Sequence, residues 1–251
     1  MCGRYASTRS AEDLVAEFDA VDASDGEQLR PDYNIAPTDR VRVVRRSKRA
    51  GEYLAAGALA GGSPVPGRVL SVAKWGLVPS WAKDASGGAR MLNARSESLV
   101  DKPAFRAAFA RRRCLIPADG WFEWTPGTDS PGKQAYYMTA EGGLVFAGLW
   151  EVWGTGDERL YTCTVVTTAA LGQLMAVHDR MPLVLTPDRW AAWLGEEPVA
   201  DARTLLEPGP VDGFEIRPVG AAVGNVRNKG PELVAPVAAG SDRIDLNPTL
   251  F

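Results

Sequence analysis

The second residue of the chain is a cysteine, in Met1-Cys2-Gly3-Arg4-Tyr5, and its position offers chemistry that an internal cysteine lacks. Removal of Met1 would leave an α-amine and a thiol on adjacent carbons. Ordinary pKa values of about 8 for such an amine and about 8.5 for a thiol leave part of each nucleophilic near neutral pH. The amine condenses with an aldehyde to an imine, and the thiol then closes on the imine carbon to give a five-membered thiazolidine. With Met1 retained, the Cys2 nitrogen is an amide and this route is shut. A cysteine near a terminus also occurs simply as a small apolar residue, so its neighbours matter. Gly3 permits close backbone approach, and Arg4 carries a planar donor fork suited to phosphate or carboxylate.

Other residues of chemical interest are scattered along the chain. Asn93 and Arg95, in Met91-Leu-Asn-Ala-Arg-Ser-Glu-Ser98, stand two apart and share a face if that stretch is extended. Glu123 lies between aromatics in Cys114-Leu-Ile-Pro-Ala-Asp-Gly-Trp-Phe-Glu-Trp124; a carboxylate there is either an exposed strand residue or a buried one with a raised pKa. His178 is the single histidine, with Arg180 two residues on. Trp75 and Trp81 bracket Gly76 and Pro79; tryptophans so placed either fill core or form a platform for an unpaired base, worth about 1–3 kcal/mol per base. Pro37, in Tyr33-Asn-Ile-Ala-Pro-Thr38, stiffens its segment and removes a donor. Two arginine-rich stretches, Arg40-Val-Arg-Val-Val-Arg-Arg46 and Arg111-Arg-Arg113, read as solvated faces or as binding surface.

These residues need a scaffold. Residues 10–18 read as a short helix capped by Ser10, with Leu14, Val15 and Phe18 on one face. Residues 19–31 are acidic and loop-like, 41–44 suggest a strand, and the Gly-, Ala-, Ser- and Pro-rich residues 47–67 read as a surface excursion. Strand character returns from Val69 into the Trp75 stretch. A helix is expected around 103–112, and then a strand, turn and second strand over 114–124. Strands follow at 135–139, 144–149 and 160–167 with hairpin-like spacing. A short helix over 170–175, an amphipathic helix starting at Pro187 and a last strand at 214–219 complete the pattern. Many short strands with few helices, no repeat and no clear linker predict one α+β domain around a largely antiparallel, barrel-like sheet.

The 251 residues suffice for a sizeable core, and the 45% hydrophobic and 24% charged fractions are ordinary for a soluble globular chain. No signal pattern or membrane-length apolar run is present. Three cysteines, Cys2, Cys114 and Cys163, without metal-ligand spacing fit a reduced, cytoplasmic setting. One histidine and no CxxC exclude a zinc site, and no cofactor is called for. A net charge of −3 argues against coating nucleic acid by bulk electrostatics, though not against a local basic groove. Nothing demands a dimer.

Taken together, Met1-Cys-Gly-Arg-Tyr5, Tyr33-Asn-Ile-Ala-Pro37, Trp75-Gly-Leu-Val-Pro79, Asn93-Ala-Arg-Ser-Glu97, the Cys114 to Trp124 stretch and His178-Asp-Arg-Met-Pro182 resemble the SRAP family (SOS response-associated peptidases), abasic-site processing proteins that crosslink to DNA. The match runs in order from residue 2 to about 235 and leaves out 47–67 and a tail at 236–251. The resemblance implies a single α+β domain with a positively charged groove for single-stranded DNA. It makes Cys2 the nucleophile that supplies both atoms of a thiazolidine to a ring-opened abasic sugar, with Asn93 orienting it. Glu123 would move protons around the amine and the departing hydroxyl, and His178 would act on the sugar oxygen and serve an imine-linked lyase side reaction. Arg4, Arg95 and Arg180 would grip flanking phosphates, Thr167 would add a polar contact, and Pro37 with Trp75 would wedge and stack neighbouring bases.

Three other readings stand beside this one. A class II glutamine amidotransferase also matures to an N-terminal Cys-Gly, its thiol attacking a glutamine amide, but it usually continues with an aliphatic residue where this chain has Arg4. A non-catalytic single-strand binder would use Trp75 and the arginines alone. An autoprotease would remove only its own Met1, a step that could coexist with crosslinking. The chain ends Asp245-Leu-Asn-Pro-Thr-Leu-Phe251. This end is either disordered or, being similar to short segments that bind bacterial sliding clamps, a docking peptide through Leu250 and Phe251.

Overall fold

A computed structural model describes residues 2–126, 133–211 and 213–237. In chain order its elements are β1 (Tyr5–Ser7), α1 (Ala11–Glu17), β2 (Val21–Asp22), β3 (Asp32–Ile35), β4 (Arg40–Arg46), α2 (Ala50–Ala55), β5 (Arg68–Trp75), β6 (Asn93–Arg95), α3 (Pro103–Arg111), β7 (Arg113–Pro126), β8 (Lys133–Trp153), β9 (Leu160–Ala169), β10 (Arg180–Pro182), α4 (Pro187–Leu194) and β11 (Phe214–Val219). None of the described helices is long and apolar enough to cross a membrane.

Five strands close a ring. β4 pairs antiparallel with β5 and β7, β7 with β8, and β8 with β9; β9 then returns to β5 in parallel. The fold is therefore α+β, built on a largely antiparallel, barrel-like sheet. Closure leaves no unpaired edge within the ring. β7 is shared along its length: its first half faces β4, while Gly120 and Trp121 face β1. β3 extends that side beyond β1, β11 lies on β8, and β6 and β10 both attach to β9.

Strand alternation sorts the apolar side chains into two cores. Cys114, Ile116 and Ala118 of β7, Leu144 and Phe146 of β8, Cys163 and Val165 of β9, Val41 and Val43 of β4 and Trp75 of β5 form one cluster inside the ring. Their neighbours Leu115, Val145, Ala147, Leu149 and Val166 face outward, under Leu14 and Phe18 of the first helical segment, Phe105 and Phe109 of α3 and Trp190 and Trp193 of α4. Ser10 caps α1 in a reciprocal box with Asp13, and Gly195, at φ +74, ends α4 in the left-handed conformation.

Several local expectations need correcting. The segment 114–124 is not strand, turn and strand but part of one strand, β7, with a register irregularity between Ala118 and Gly120. The two strands expected at 135–139 and 144–149 are likewise one, β8, in which residues 140–143 bulge out at Gly142 (φ +79) and Gly143 (φ +84). Two adjacent left-handed glycines let the chain kink without leaving the ladder. The acidic stretch 19–31 contains β2, and the 47–67 excursion contains α2, both held by Val21, Ala50 and Val69 in a small core of their own. The helix expected at 170–175 is a 3-10 turn over Gly172–Ala176. Pro236 and Val237 still pair with β11; the rest of the tail, Leu250 and Phe251 included, lies outside the described residues.

Gly120 lies just after the irregularity in β7, where the strand passes close to β8 three residues before Glu123. A methyl group there would run into the Met138 carbonyl and the Tyr137 ring, neither of which is a flexible end. Gly120→Ala should destabilise the fold by about 1–3 kcal/mol, read as a lowered urea midpoint. Gly62→Ala, where a methyl meets nothing within 4 Å, should leave the midpoint within about 0.5 kcal/mol of the parent.

Candidate functional site

Cys2 is fully buried and packs with the cluster inside the ring, beside Tyr5, Trp75 and Trp121. Two features hold it there. The N–H of Phe122 donates to the Arg4 carbonyl at 2.9 Å, continuing the β1–β7 ladder toward the terminus. The side chain of Asn93 donates Nδ2 to the Cys2 carbonyl at 2.7 Å. Burial pushes the Cys2 thiol far above its usual pKa, and the charge of Glu123 adds to the effect. Glu123 and Cys2 are therefore electrostatic neighbours, and the thiol stays protonated until something removes its proton.

Glu123 is 4% exposed, and burial lifts its carboxyl to about 7. It lines a cleft of about 460 Å³ with Arg4, Trp124, Lys133, His178 and Gly224. That volume falls in the range of small-ligand sites. Arg4 lies over the Trp124 ring, 5.7 Å from its centroid. Its Nη1 also donates to Asn34 Oδ1 at 2.8 Å and to the Val223 carbonyl at 2.7 Å.

His178 follows the 3-10 turn, and its Nδ1 accepts the backbone N–H of Arg180 at 2.9 Å. That bond requires an unprotonated Nδ1, so a neutral ring carries its proton on Nε2. The exposed Asp179 carboxylate stands 2.7 Å from the same Nδ1 and would accept a proton only from the charged ring. Burial lowers the His178 pKa, which favours the neutral form and the backbone contact.

Arg95, Thr167 and Arg180 come together next to this cleft, because β6 runs parallel to β9 with Arg95 opposite Thr167, and β10 places Pro182 opposite Thr167 from the other side. Arg95 is exposed. Arg180 presents its fork to Glu97, at 2.6 and 3.0 Å, and donates to the Thr167 carbonyl at 2.8 Å. Thr167 itself is fully buried, so in this structure it secures Arg180 and offers no surface of its own.

Trp75 requires a correction. Its ring is fully buried, edge-on to Tyr5 at 5.2 Å, and a base cannot stack there. Its Nε1 donates to the Leu92 carbonyl at 3.0 Å, which fixes the residue before Asn93. Trp75 thus positions the Cys2 anchor. Trp81, at the other end of the same stretch, is 67% exposed. Pro37 is half-buried in the turn after β3, where the N–H of Thr38 donates to the Trp75 carbonyl at 2.9 Å.

Some site residues were not apparent from sequence. Asn34 is fully buried and donates to the carbonyls of Val223, Asn225 and Asn228 while accepting from Arg4. It ties segment 223–228 to the N-terminal strand, and Gly224 of that segment lines the cleft. Glu97 was visible only as part of a motif. Its pairing with Arg180 spans 83 positions, and no local pattern encodes it. Among the described residues no group of three or more His, Cys, Asp and Glu could hold a metal.

Comparison with known proteins follows this geometry. Residues 1–226 match the family described as SOS response associated peptidase (SRAP). The chain is 32% identical to the Bacillus subtilis protein named abasic site processing protein YoqW, over 93% of this chain and 99% of that one. It is also 32% identical to abasic site processing protein YedK of Escherichia coli, over 94% and 100%. A crystal structure of a Bacteroides thetaiotaomicron protein shares the fold, with a TM-score of 0.77 at 21% identity, covering 94% of this chain and all of that one.

The raised pKa of Glu123 has a stability consequence of definite sign. A carboxyl that binds its proton more tightly folded than unfolded contributes most below its ordinary value of 4.5, and that contribution is lost as pH rises through about 7. Glu123→Gln, which cannot ionise, should remove this dependence. From pH 5 to pH 8 the variant should gain on the order of 1–3 kcal/mol relative to the parent in urea unfolding. Parallel pH profiles for the two proteins would contradict a buried, proton-holding Glu123.

Proposed function

The chain belongs to the SOS response associated peptidase (SRAP) family, and from that premise we propose that it processes abasic sites in single-stranded DNA by a covalent bond to Cys2. The observation that carries the reading is the convergence of a buried Cys2, held at its carbonyl by Asn93, with Glu123 and His178 at one cleft.

Removal of Met1 consumes one water across the Met1–Cys2 peptide bond and frees the α-amine. An abasic sugar is mostly a closed hemiacetal, so the aldehyde must first be exposed. A neutral His178 with its proton on Nε2 donates to the sugar ring oxygen and assists opening. The α-amine then adds to the aldehyde carbon. Glu123, with a proton affinity near neutrality, donates to the departing hydroxyl, and one water leaves as the imine forms. The Cys2 thiol adds to the imine carbon: a C–S bond forms, and the thiol proton ends on nitrogen, relayed by Glu123. Because amine and thiol share one residue, this closure is intramolecular, an advantage of several orders of magnitude. If the imine instead loses a proton from the sugar and expels the 3′ phosphate, the outcome is strand cleavage, a lyase side reaction.

Phosphates flanking the sugar fall to Arg4, Arg95 and Arg180, and a phosphate on Arg180 must displace the Glu97 carboxylate from its fork. With the Trp75 ring enclosed, Pro37 alone is left to wedge against a neighbouring base. Local contacts of this kind suffice for encounter in a chain of net charge −3, since the product is covalent.

The test is intact mass spectrometry of the purified protein, alone and after incubation with an abasic single-stranded oligonucleotide. We expect loss of Met1 and a heat-stable adduct one water lighter than protein plus oligonucleotide. It should map to Cys2 and be absent in Cys2→Ala. Asn93→Ala should slow adduct formation by about 10–100-fold by loosening the nucleophile. Loss of Met1 without any adduct would overturn the reading and favour hydrolysis of a glutamine amide by the same cysteine.

A further inference from the structure

The two arginine-rich stretches, far apart in sequence, meet in space. β4 and β7 run antiparallel with Val44 opposite Leu115 and Arg45 opposite Cys114. One more step in that register brings Arg46 beside Arg113. Like charges directly opposite one another destabilise a strand pair. Lys48 and Arg111 join them, and the four cations line one open concavity of about 630 Å³ whose wall includes the half-buried Trp150. Among the described residues no carboxylate lines it.

Local structure accounts for only part of this charge. Arg46 donates Nη1 to the Gly195 carbonyl at 2.7 Å, and Arg113 donates to the carbonyls of Trp193 and Phe109. Two of those acceptors close the C-terminal end of α4, which carries roughly half a negative charge. That is small against four positive charges. Three neighbouring carboxylates are committed elsewhere, Glu52 to Arg49, Glu151 to Arg112 and Glu196 to Arg68, which leaves the exposed Glu197 against four cations. The side chains of Lys48 and Arg111 enter no hydrogen bond or ion pair among the described residues. A chain of net charge −3 has no general basicity that would produce such a patch by chance of composition.

We propose that this concavity is a second nucleic-acid surface, on which Arg46, Lys48, Arg111 and Arg113 hold backbone phosphates of the strand whose abasic site occupies the Cys2 cleft. The assignment rests on the DNA reading above. Arg113 opens β7 and Glu123 lies ten residues further on, so the two sites are at most about 33 Å apart along the strand. Cations spread across an open concavity suit successive phosphodiesters rather than one compact anion, and sequence plays no part in such contacts.

The experiment compares mature parent with the double variant Lys48→Glu, Arg111→Glu, chosen because neither side chain supports the fold. On a short abasic oligonucleotide of about 5 nucleotides, within one single-strand site, both proteins should form the Cys2 adduct equally. On an undamaged strand of about 40 nucleotides, the variant should bind at least roughly tenfold more weakly at low salt. Its slope of log affinity against log salt should be shallower by about 1.4, two phosphate contacts at about 0.7 each. Equal affinity and slope, or no binding of the undamaged strand by the parent, would overturn the proposal. So would an acidic peptide that competes as well as DNA of equal charge. If neither protein forms an adduct on the short strand while the variant still loses affinity for the long one, the covalent reading fails and the second surface stands.

Discussion

The site depends on one hydrogen bond, from the Asn93 side chain to the Cys2 carbonyl at 2.7 Å. A chain terminus is ordinarily its least ordered part, and a nucleophile there would lose much of its advantage to its own freedom. Here the bond is made where water has been excluded, so breaking it would leave a buried carbonyl without a partner. The rest of the structure supports its donor. Asn93 opens β6, which lies parallel on β9, and Trp75 holds the carbonyl of the preceding residue. Tryptophan, ladder and amide form a chain of support that ends at residue 2.

Burial acts in one direction on the three titratable groups around that anchor. It raises the Cys2 thiol and the Glu123 carboxyl and lowers the His178 imidazole. Each is pushed toward its neutral form, so all three hold or lack their protons in the pattern that proton exchange among neutral partners requires. Charge is instead kept at the rim, on Arg4, Arg95, Arg180 and Lys133. The division follows from topology: β7 carries Glu123 into the interior, whereas the loops and short strands around the mouth carry the arginines.

Much of this was legible in the sequence, for reasons that vary by residue. The Ser10 cap and the apolar face of α1 are local patterns, and the structure follows them. The barrel-like α+β class was readable from many strand-like segments at hairpin-like spacing, although β7 and β8 each absorb two of the expected short strands. Reading failed where a local signal had two physical meanings. Gly120 reads as a turn but serves as an irregularity in a continuous strand, since a glycine that tolerates a bend also tolerates a neighbouring backbone. Trp75 and Trp81 are the same residue type six positions apart, yet one is core and the other exposed; only the tertiary packing of Tyr5 against Trp75 separates them. Asn34 and Glu97 were out of reach because their partners lie 189 and 83 positions away.

The distance between Cys2 and its partners also sets a clock. Asn93 lies 91 residues downstream, and the stretch of β7 that receives β1 comes later still. A ribosome adding about 5–20 residues each second needs many seconds to deliver them. Through that interval the emerging terminus has nothing to dock against and is open to any aminopeptidase in the surrounding solution. Once β7 is in place, Cys2 is packed into the fold with its side chain buried, and an outside enzyme no longer meets a free, extended terminus. The order in which the chain is made therefore opens an early window, before the fold takes up residue 2, in which the Met1–Cys2 bond is as accessible as any extended chain.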